Sequence, residues 1–312
     1  SDQEQKRLTK FEGFDLLQRA LVGEIVVDIG YKAPKFYDFL NGPFAEAFPN
    51  YRFDYWHIQY ICEKLEEALA EGKHLCVVLP RYHLKSTVLG YAFSLWRIAK
   101  LKSCQILYLS YKREMANYHV GQIKDIVRAS PALQSIFVDL VAPQAQYAAR
   151  YAVDGFKSQF LSGGVFSFKR GTHVNGAVIA DDILSDPANP ITYHMIKRVE
   201  NHFYKEIYNI ANPGTPLIVM GTPMVPSDLL TTLSDKDDFV YVHLPARNPL
   251  PDRDLLCPEL FSDDWLRGRE ELDRKAFMTE FMLVPLLETE AYFTSDELNS
   301  VVDKELKNQD SV

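Results

Sequence analysis

A short apolar run followed by Lys85, Ser86 and Thr87 constrains the fold of this chain more than any other stretch. Residues 75–79 are all apolar, without polar alternation, which is typical of a strand buried on both faces of a parallel sheet. A helix is predicted directly afterwards, from residue 86 to residue 100. Turns between such strands and helices bind phosphate in α/β proteins, because the helix amides and dipole favour an anion. The stretch therefore predicts a phosphate-binding loop.

The predicted loop departs from the glycine-rich pattern G-x-x-x-x-G-K-[ST], because leucine occupies both glycine positions, 79 and 84. A surface lysine followed by a Ser/Thr helix cap is the alternative interpretation. On the phosphate interpretation, Lys85 and the loop amides bind the β- and γ-phosphates, and the Ser86 hydroxyl holds Mg²⁺. The predicted nucleotide-binding residues of the loop are Pro80, Arg81, Tyr82, His83, Leu84, Lys85, Ser86 and Thr87.

Composition limits the classes of protein that are possible. The 312 residues suffice for one large domain or two, and no apolar run reaches the length of about 18 residues that a membrane helix needs. A net charge of −8 argues against coating nucleic acid through bulk charge, although one basic face could still contact DNA. The four cysteines are widely spaced, so we expect neither a zinc site nor a disulfide framework, in a reducing intracellular setting.

Strand and helix patterns alternate along the chain, which predicts βαβ units and a mainly parallel sheet flanked by helices. Residues 1–50 are expected to be mostly helical, and residues 136–164 irregular. Helices are also predicted at residues 55–73, closed by Gly72, and at residues 112–128 and 193–210. Predicted buried strands cover residues 75–79, 104–110, 176–182, 216–223 and 238–246, and an edge strand with its turn covers residues 165–171.

The strand predicted at residues 176–182 ends in two adjacent carboxylates, Asp181 and Asp182. Ligands of open parallel sheets bind at the carboxyl ends of strands, where Asp181 would anchor nucleotide-bound Mg²⁺ through water. Asp182 would orient or deprotonate the attacking water, a role more often given to Glu. A solvated acidic turn is the alternative.

Four further residues are candidates with weaker local signals. The hydroxyl of Thr222, after Gly221, could sense the γ-phosphate, or the sequence Gly-Thr-Pro could be an ordinary turn. Arg81 or Arg170 could place positive charge on the γ-phosphate in the transition state, or each could form a surface ion pair. Gln59 could contact adenine beside Tyr55 or Trp56, or it could be solvated on its helix.

These motifs together resemble the ATPase domain of the large terminase subunit, the DNA-packaging motor of tailed bacteriophages. The likeness covers roughly residues 50–295. It includes a deviant phosphate loop with Arg81 four residues before Lys85, the Arg170-Gly171 turn ahead of Asp181 and Asp182, and Gly221-Thr222-Pro223. It also includes a Pro-Glu-x-Phe step, at residues 258–261, before a helix.

The resemblance implies an additional-strand (ASCE) P-loop core and a small lid. On this basis residues 1–50 form an N-terminal helical appendage, 51–246 the ATPase core, 247–295 the lid or linker subdomain, and 296–312 a polar tail. It also implies that Arg170 is a finger acting on a neighbouring subunit, that Arg81 is a sensing or coupling arginine, and that Gln59 contacts adenine.

The expected activity is ATP hydrolysis with Mg²⁺, coupled to translocation of double-stranded DNA into a procapsid. The implied partners are the portal protein of the procapsid, the small terminase subunit and further copies of this chain in a ring. In isolation the chain is expected to be a monomer. The expected location is the cytoplasm of the host cell. Large terminases continue into a nuclease domain, whereas the acidic residues after residue 295 lack strands to carry a metal site, so no nuclease activity is expected. A helicase-like or other P-loop ATPase, and a capsid-docking module with little turnover, remain alternatives.

Overall fold

The described structure is a computed structural model that covers residues 33–101, 103–137, 150–153, 158–168, 174–184 and 193–285. Its α-helices are α1 Phe36–Phe39, α2 Trp56–Glu71, α3 Phe93–Leu101, α4 Arg113–Ala129, α5 Pro131–Ile136, α6 Tyr193–His202, α7 Leu229–Thr232, α8 Asp263–Leu272 and α9 Arg274–Glu280. π-Helical segments are Leu40–Phe44, Ser86–Ala92 and Phe203–Ile207, and 3-10 turns are Ala45–Ala47, Tyr208–Ile210 and Leu233–Asp235.

Within the described residues, seven strands form the main sheet, in the order β3-β4-β2-β5-β6-β1-β7. Six of them run parallel, and β3 at the edge is antiparallel to β4. A separate antiparallel hairpin joins β8 and β9. The strands are β1 His74–Val78, β2 Gln105–Ser110, β3 Arg150–Val153, β4 Ser158–Gly164, β5 Ala177–Asp181, β6 Leu217–Gly221, β7 Phe239–His243, β8 Arg247–Leu250 and β9 Arg253–Leu255.

The predicted α/β class with a mainly parallel sheet is confirmed. Strand β6 lies between β1, which precedes the predicted phosphate loop, and β5, which ends in Asp181. The predicted ASCE class has an additional strand in this place. Every residue of β5 and β6 is buried, as expected for apolar runs covered on both faces. Register places Val77 of β1 beside Met220 of β6 and Val242 of β7.

One strand prediction is wrong. The edge strand predicted at residues 165–171 is a turn over its described part, with a single bridge between Gly164 and Ser167. The strand is β4, which precedes that turn and lies in the segment expected to be irregular. A Cβ atom on Gly163 would come within 2.7 Å of the Phe168 Cβ atom, so this strand needs glycine where the chain folds back. Because glycine is a poor strand former, the sequence pattern did not predict this strand.

The chain divides into two compact units. The first consists of Ser1–Asp54, Ser86–Ile179 and Asn209–Leu217, although residues 1–32, with their predicted helix, lie outside the described residues. An aromatic cluster forms part of its core: the Phe36 ring packs edge-on against Phe93 at 5.8 Å and lies 5.6 Å from Trp96.

The second unit consists of Tyr55–Lys85, Ala180–Tyr208 and Ile218–Val312. It contains strand β1, the predicted phosphate loop as far as Lys85, and the end of β5. It also has a satellite cluster near its C-terminal end, formed by Ala246, Leu266, Phe277 and Phe281. Helix α2 in this unit ends as predicted at Gly72, whose φ of +67° suits glycine.

Candidate functional site

The predicted phosphate loop, between β1 and Ser86, has two left-handed residues that are not glycine. Tyr82 and Leu84 have φ angles of +67° and +64°, and the intervening His83 does not have a positive φ. Left-handed residues of this kind occur in anion-binding nests, where successive amides turn toward one point. Leucine therefore occupies a left-handed position that is normally given to glycine.

The contacts of His83 hold this loop against the rest of the protein. His83 is buried, its ring lies 4.7 Å from the Phe261 ring, and its Nδ1 lies 2.8 Å from the Arg81 carbonyl oxygen. Burial lowers the pKa of His83 to about 4, so the ring is neutral at pH 7. Because a carbonyl oxygen only accepts, Nδ1 must carry the proton and donate it to this bond.

Behind His83 lies a second buried histidine that the sequence patterns did not indicate. The His57 ring packs 5.9 Å from His83 and is stacked 5.9 Å from Tyr55. Burial lowers the pKa of His57 to about 3, partly offset by the backbone of His83. We infer that these two neutral rings pack against each other and stabilise the conformation of the loop.

Arg81, the arginine of the loop, is bound by a residue at the end of α9. The amide of Arg81 donates to the Glu280 carbonyl oxygen at 3.3 Å, and its guanidinium lies 3.2 Å from the Glu280 carboxylate at the end of α9. Its side chain is half exposed. Glu280 is far away in the sequence, so no local pattern could have identified this partner.

Lys85 and Asp182, the two residues on which the phosphate interpretation depends, lie side by side. The Lys85 ammonium group is 3.8 Å from Asp182 Oδ2; Lys85 is buried, while 42% of the Asp182 side chain is exposed. Asp182 adopts a φ of +47°, a conformation that Asp tolerates better than most residues. Asp181, directly before it, is the last residue of β5 and is 1% exposed.

Gly221 leaves room for the Asp182 side chain beside the end of β6. A Cβ atom on Gly221 would lie 3.0 Å from Asp182 Oδ1, and the Asp182 amide donates to the Met220 carbonyl oxygen at 3.0 Å. Thr222, the next residue, is buried at 9% exposure. The structure thus brings the end of β6 together with the carboxylate after β5.

The remaining predicted site residues are placed as follows. Gln59 is exposed on α2 and donates to Glu63 Oε1 at 3.0 Å, so its adenine role stays a prediction. Ser86 and Thr87 begin the π-helical segment and are half-buried, and Pro80 is buried. Arg170 lies outside the described residues.

Sequence reasoning also missed Asp228, a fully buried carboxylate beyond Thr222. It accepts hydrogen bonds from the amides of Met224, Val225 and Thr231. The signal was available, since an aspartate directly before Leu229-Leu230-Thr231 is a helix N-cap pattern.

No three His, Cys, Asp or Glu side chains in the described ranges lie close enough together to hold a metal ion. The predicted Mg²⁺ site does not need such a cluster, because one carboxylate and one hydroxyl can be completed by water and phosphate oxygens. The described helices also include none that is both long and apolar enough to cross a membrane.

No family model matches this chain, and no curated protein sequence does. Among solved structures it is similar to the large terminase of a thermophilic bacteriophage, with a TM-score of 0.49 and 11% identity over 72% of this chain and 53% of that one. The chain thus spans about half the length of that protein. It is also similar to a mutant ATPase domain of the Thermus phage P74-26 large terminase, with a TM-score of 0.49 and 14% identity over 82% of this chain and all of that one. Both belong to the family that the sequence motifs resemble.

Proposed function

We propose that this chain is a Mg²⁺-dependent ATPase domain of a DNA-packaging motor. The observation that carries the proposal is the 3.8 Å approach of Lys85 to Asp182, from two strands that are separated by β6. A buried cation, an adjacent pair of carboxylates and a nest of amides are the groups that a magnesium-bound triphosphate requires. A structural ion pair alone would not require the strained loop beside it.

Each residue has a definite role in this proposal. Lys85 and the loop amides bind the β- and γ-phosphates, and Ser86 and Asp181 hold the metal ion. When bound, Mg²⁺ would neutralise charge that develops on the phosphate oxygens. Asp182, exposed on one side, orients the attacking water and accepts its proton, and Thr222 reports hydrolysis to the loop that follows.

Lys85→Ala tests the phosphate site. We expect ATP turnover to fall by about 10²-fold or more, because one preorganised charge on the transferred phosphoryl group is lost. The fold should persist, since the carboxylate left behind is already partly exposed to water. Lys73→Ala is the matched control: the Lys73 side chain is 40% exposed and pairs with Glu71 at 2.8 Å just before β1. Equal turnover in the two variants would refute the assignment.

Asp182→Asn tests the role of the second carboxylate. The variant should bind ATP with an affinity close to that of the unmodified chain, because Lys85 and the loop remain. Its turnover should fall by about 10²-fold or more, because the amide cannot accept the proton of water. Binding of a fluorescent ATP analogue and single-turnover hydrolysis separate the two effects, and an unchanged hydrolysis rate would exclude this role.

Translocation of double-stranded DNA is the finer part of the proposal. It is supported by the set of sequence motifs that this chain shares with large terminases. The proposed partners are the portal on a procapsid, the small terminase subunit and further copies in a ring, in the cytoplasm of the host cell. ATPase rate measured against protein concentration, with and without DNA and procapsids, tests this part: a ring motor gains activity on assembly, whereas a docking module with little turnover does not.

A further inference from the structure

Asp228 lies in the loop that follows Thr222, and the proposed chemistry does not use it. Its side chain is 0% exposed. One carboxylate oxygen, Oδ2, accepts from the amides of Met224 and Val225 at 2.6 and 3.2 Å. The other, Oδ1, accepts from the Thr231 amide at 3.1 Å and the Thr231 hydroxyl at 2.9 Å.

These four bonds do more than cap a helix. A carboxylate is costly to bury unless its lone pairs are satisfied, and four donors match its capacity of about four. The bonds from Thr231 cap α7, which has only four residues. The bonds from Met224 and Val225 hold the loop itself, which a cap does not require. Since satisfied buried networks favour a single conformation, the loop has a fixed geometry.

Helix α7 connects this network to the site. A Cβ atom on Gly221 would lie 3.1 Å from Leu230 Cδ1 and 3.0 Å from Asp182 Oδ1, so Gly221 is enclosed between the two side chains. Leu230 is buried and belongs to the helix that Asp228 caps. Asp228 therefore holds two parts of the structure in place: Leu230, which packs against Gly221, and the loop after Thr222.

We propose that Asp228 is a positioning residue for the hydrolysis step. It holds the turn at Gly221 and Thr222 against Asp182, so that this carboxylate meets water at the correct distance. The inference rests on the proposed ATPase function and adds a residue that touches neither nucleotide nor water. A positioning role predicts a loss in kcat rather than in ATP binding, because Lys85 and the phosphate loop keep their contacts.

Asp228→Asn tests the inference, because it keeps the volume but places an NH₂ group against amide donors. We expect kcat to fall by about 10²-fold, since displacement of a catalytic group by about 1 Å has effects of that size. KM and the affinity for a fluorescent ATP analogue should change less than about twofold. Hydrogen exchange of the Met224 and Val225 amides should accelerate. Asp237→Asn, an exposed aspartate of the same region, is the matched control and should leave all four quantities unchanged.

Asp228→Ser separates the cap from the loop, because a serine hydroxyl can cap α7 but cannot also bind two loop amides. The same loss in kcat in this variant supports positioning through the loop. A folded Asp228→Asn or Asp228→Ser variant with an unchanged kcat overturns the inference. So does unfolding of both, which would assign Asp228 to stability alone. If turnover of the unmodified chain does not depend on Lys85, the ATPase proposal itself fails, and the exchange rates still report whether Asp228 fixes the loop.

Discussion

Leu84 holds a left-handed backbone directly before the loop lysine, at a φ of +64°. Residues with a Cβ atom lose about 1–2 kcal/mol in this conformation. Tyr82 has the same kind of backbone two positions earlier and exposes 66% of its surface. The chain thus accepts strain at two residues to orient the loop amides, and strain of this kind concentrates at functional sites.

The strain predicts an unusual order of stabilities. We expect Leu84→Gly to have a free energy of unfolding about 1 kcal/mol higher than Leu84→Ala, because only glycine relieves the left-handed backbone. Leu79, at the other glycine position of the pattern, has no positive φ and provides the control. There the order should reverse, with the alanine variant more stable. Urea unfolding of the four variants measures both differences, and the same order at both positions would contradict the prediction.

At the scale of elements, the C-terminal end of α9 serves as an anchor for the phosphate loop. Glu280 accepts from the Arg81 amide through its carbonyl oxygen and pairs with the guanidinium through its carboxylate. The backbone bond can persist while the guanidinium changes partner. A triphosphate carries more negative charge than one carboxylate, so it should attract Arg81 away from Glu280.

A double-mutant cycle with Arg81→Ala and Glu280→Ala measures this exchange. The two side chains are 49% and 33% exposed, so the coupling energy in the stability of the chain should be about 0.5 kcal/mol. Saturating ATP should reduce the coupling toward zero, because the arginine then contacts phosphate. A coupling that stays the same with ATP would show that Arg81 remains with Glu280.

Elements that depend on local patterns could be predicted from the sequence. Buried strands such as β1 and β5 are continuous apolar runs, and Lys85 and Asp182 follow them closely. Strand β4 was missed because its sequence ends in Ser-Gly-Gly and its pairing with β2 is not a local property. The contact of Arg81 with Glu280 likewise depends on tertiary structure, so no spacing rule could find it.

At the scale of the whole molecule, the formal net charge of −8 argues against DNA binding by bulk charge. Under the proposed function, one basic face of an assembly would have to contact the DNA. The resemblance to packaging motors implies that Arg170 completes the site of a neighbouring copy. Such an arrangement makes activity a property of the assembly, because one copy alone lacks the neighbour's arginine at its γ-phosphate.

Mixed assemblies test this arrangement. Arg170→Ala subunits keep an intact phosphate loop, and Lys85→Ala subunits keep the arginine, so mixing two inactive variants should restore part of the ATPase activity on procapsids. Each variant assayed alone is the control. If Arg170 instead acts within its own subunit, every site in the mixture lacks one group and no activity returns.

The ion pair between Lys85 and Asp182 has a further consequence for timing. Within the protein, each of these side chains already neutralises the other at 3.8 Å. Under the proposed ATPase function, an entering γ-phosphate would compete with the Asp182 carboxylate for the Lys85 ammonium group. Nucleotide binding would thereby release Asp182 from its ion pair, so that the arrival of ATP and the release of the carboxylate are coupled.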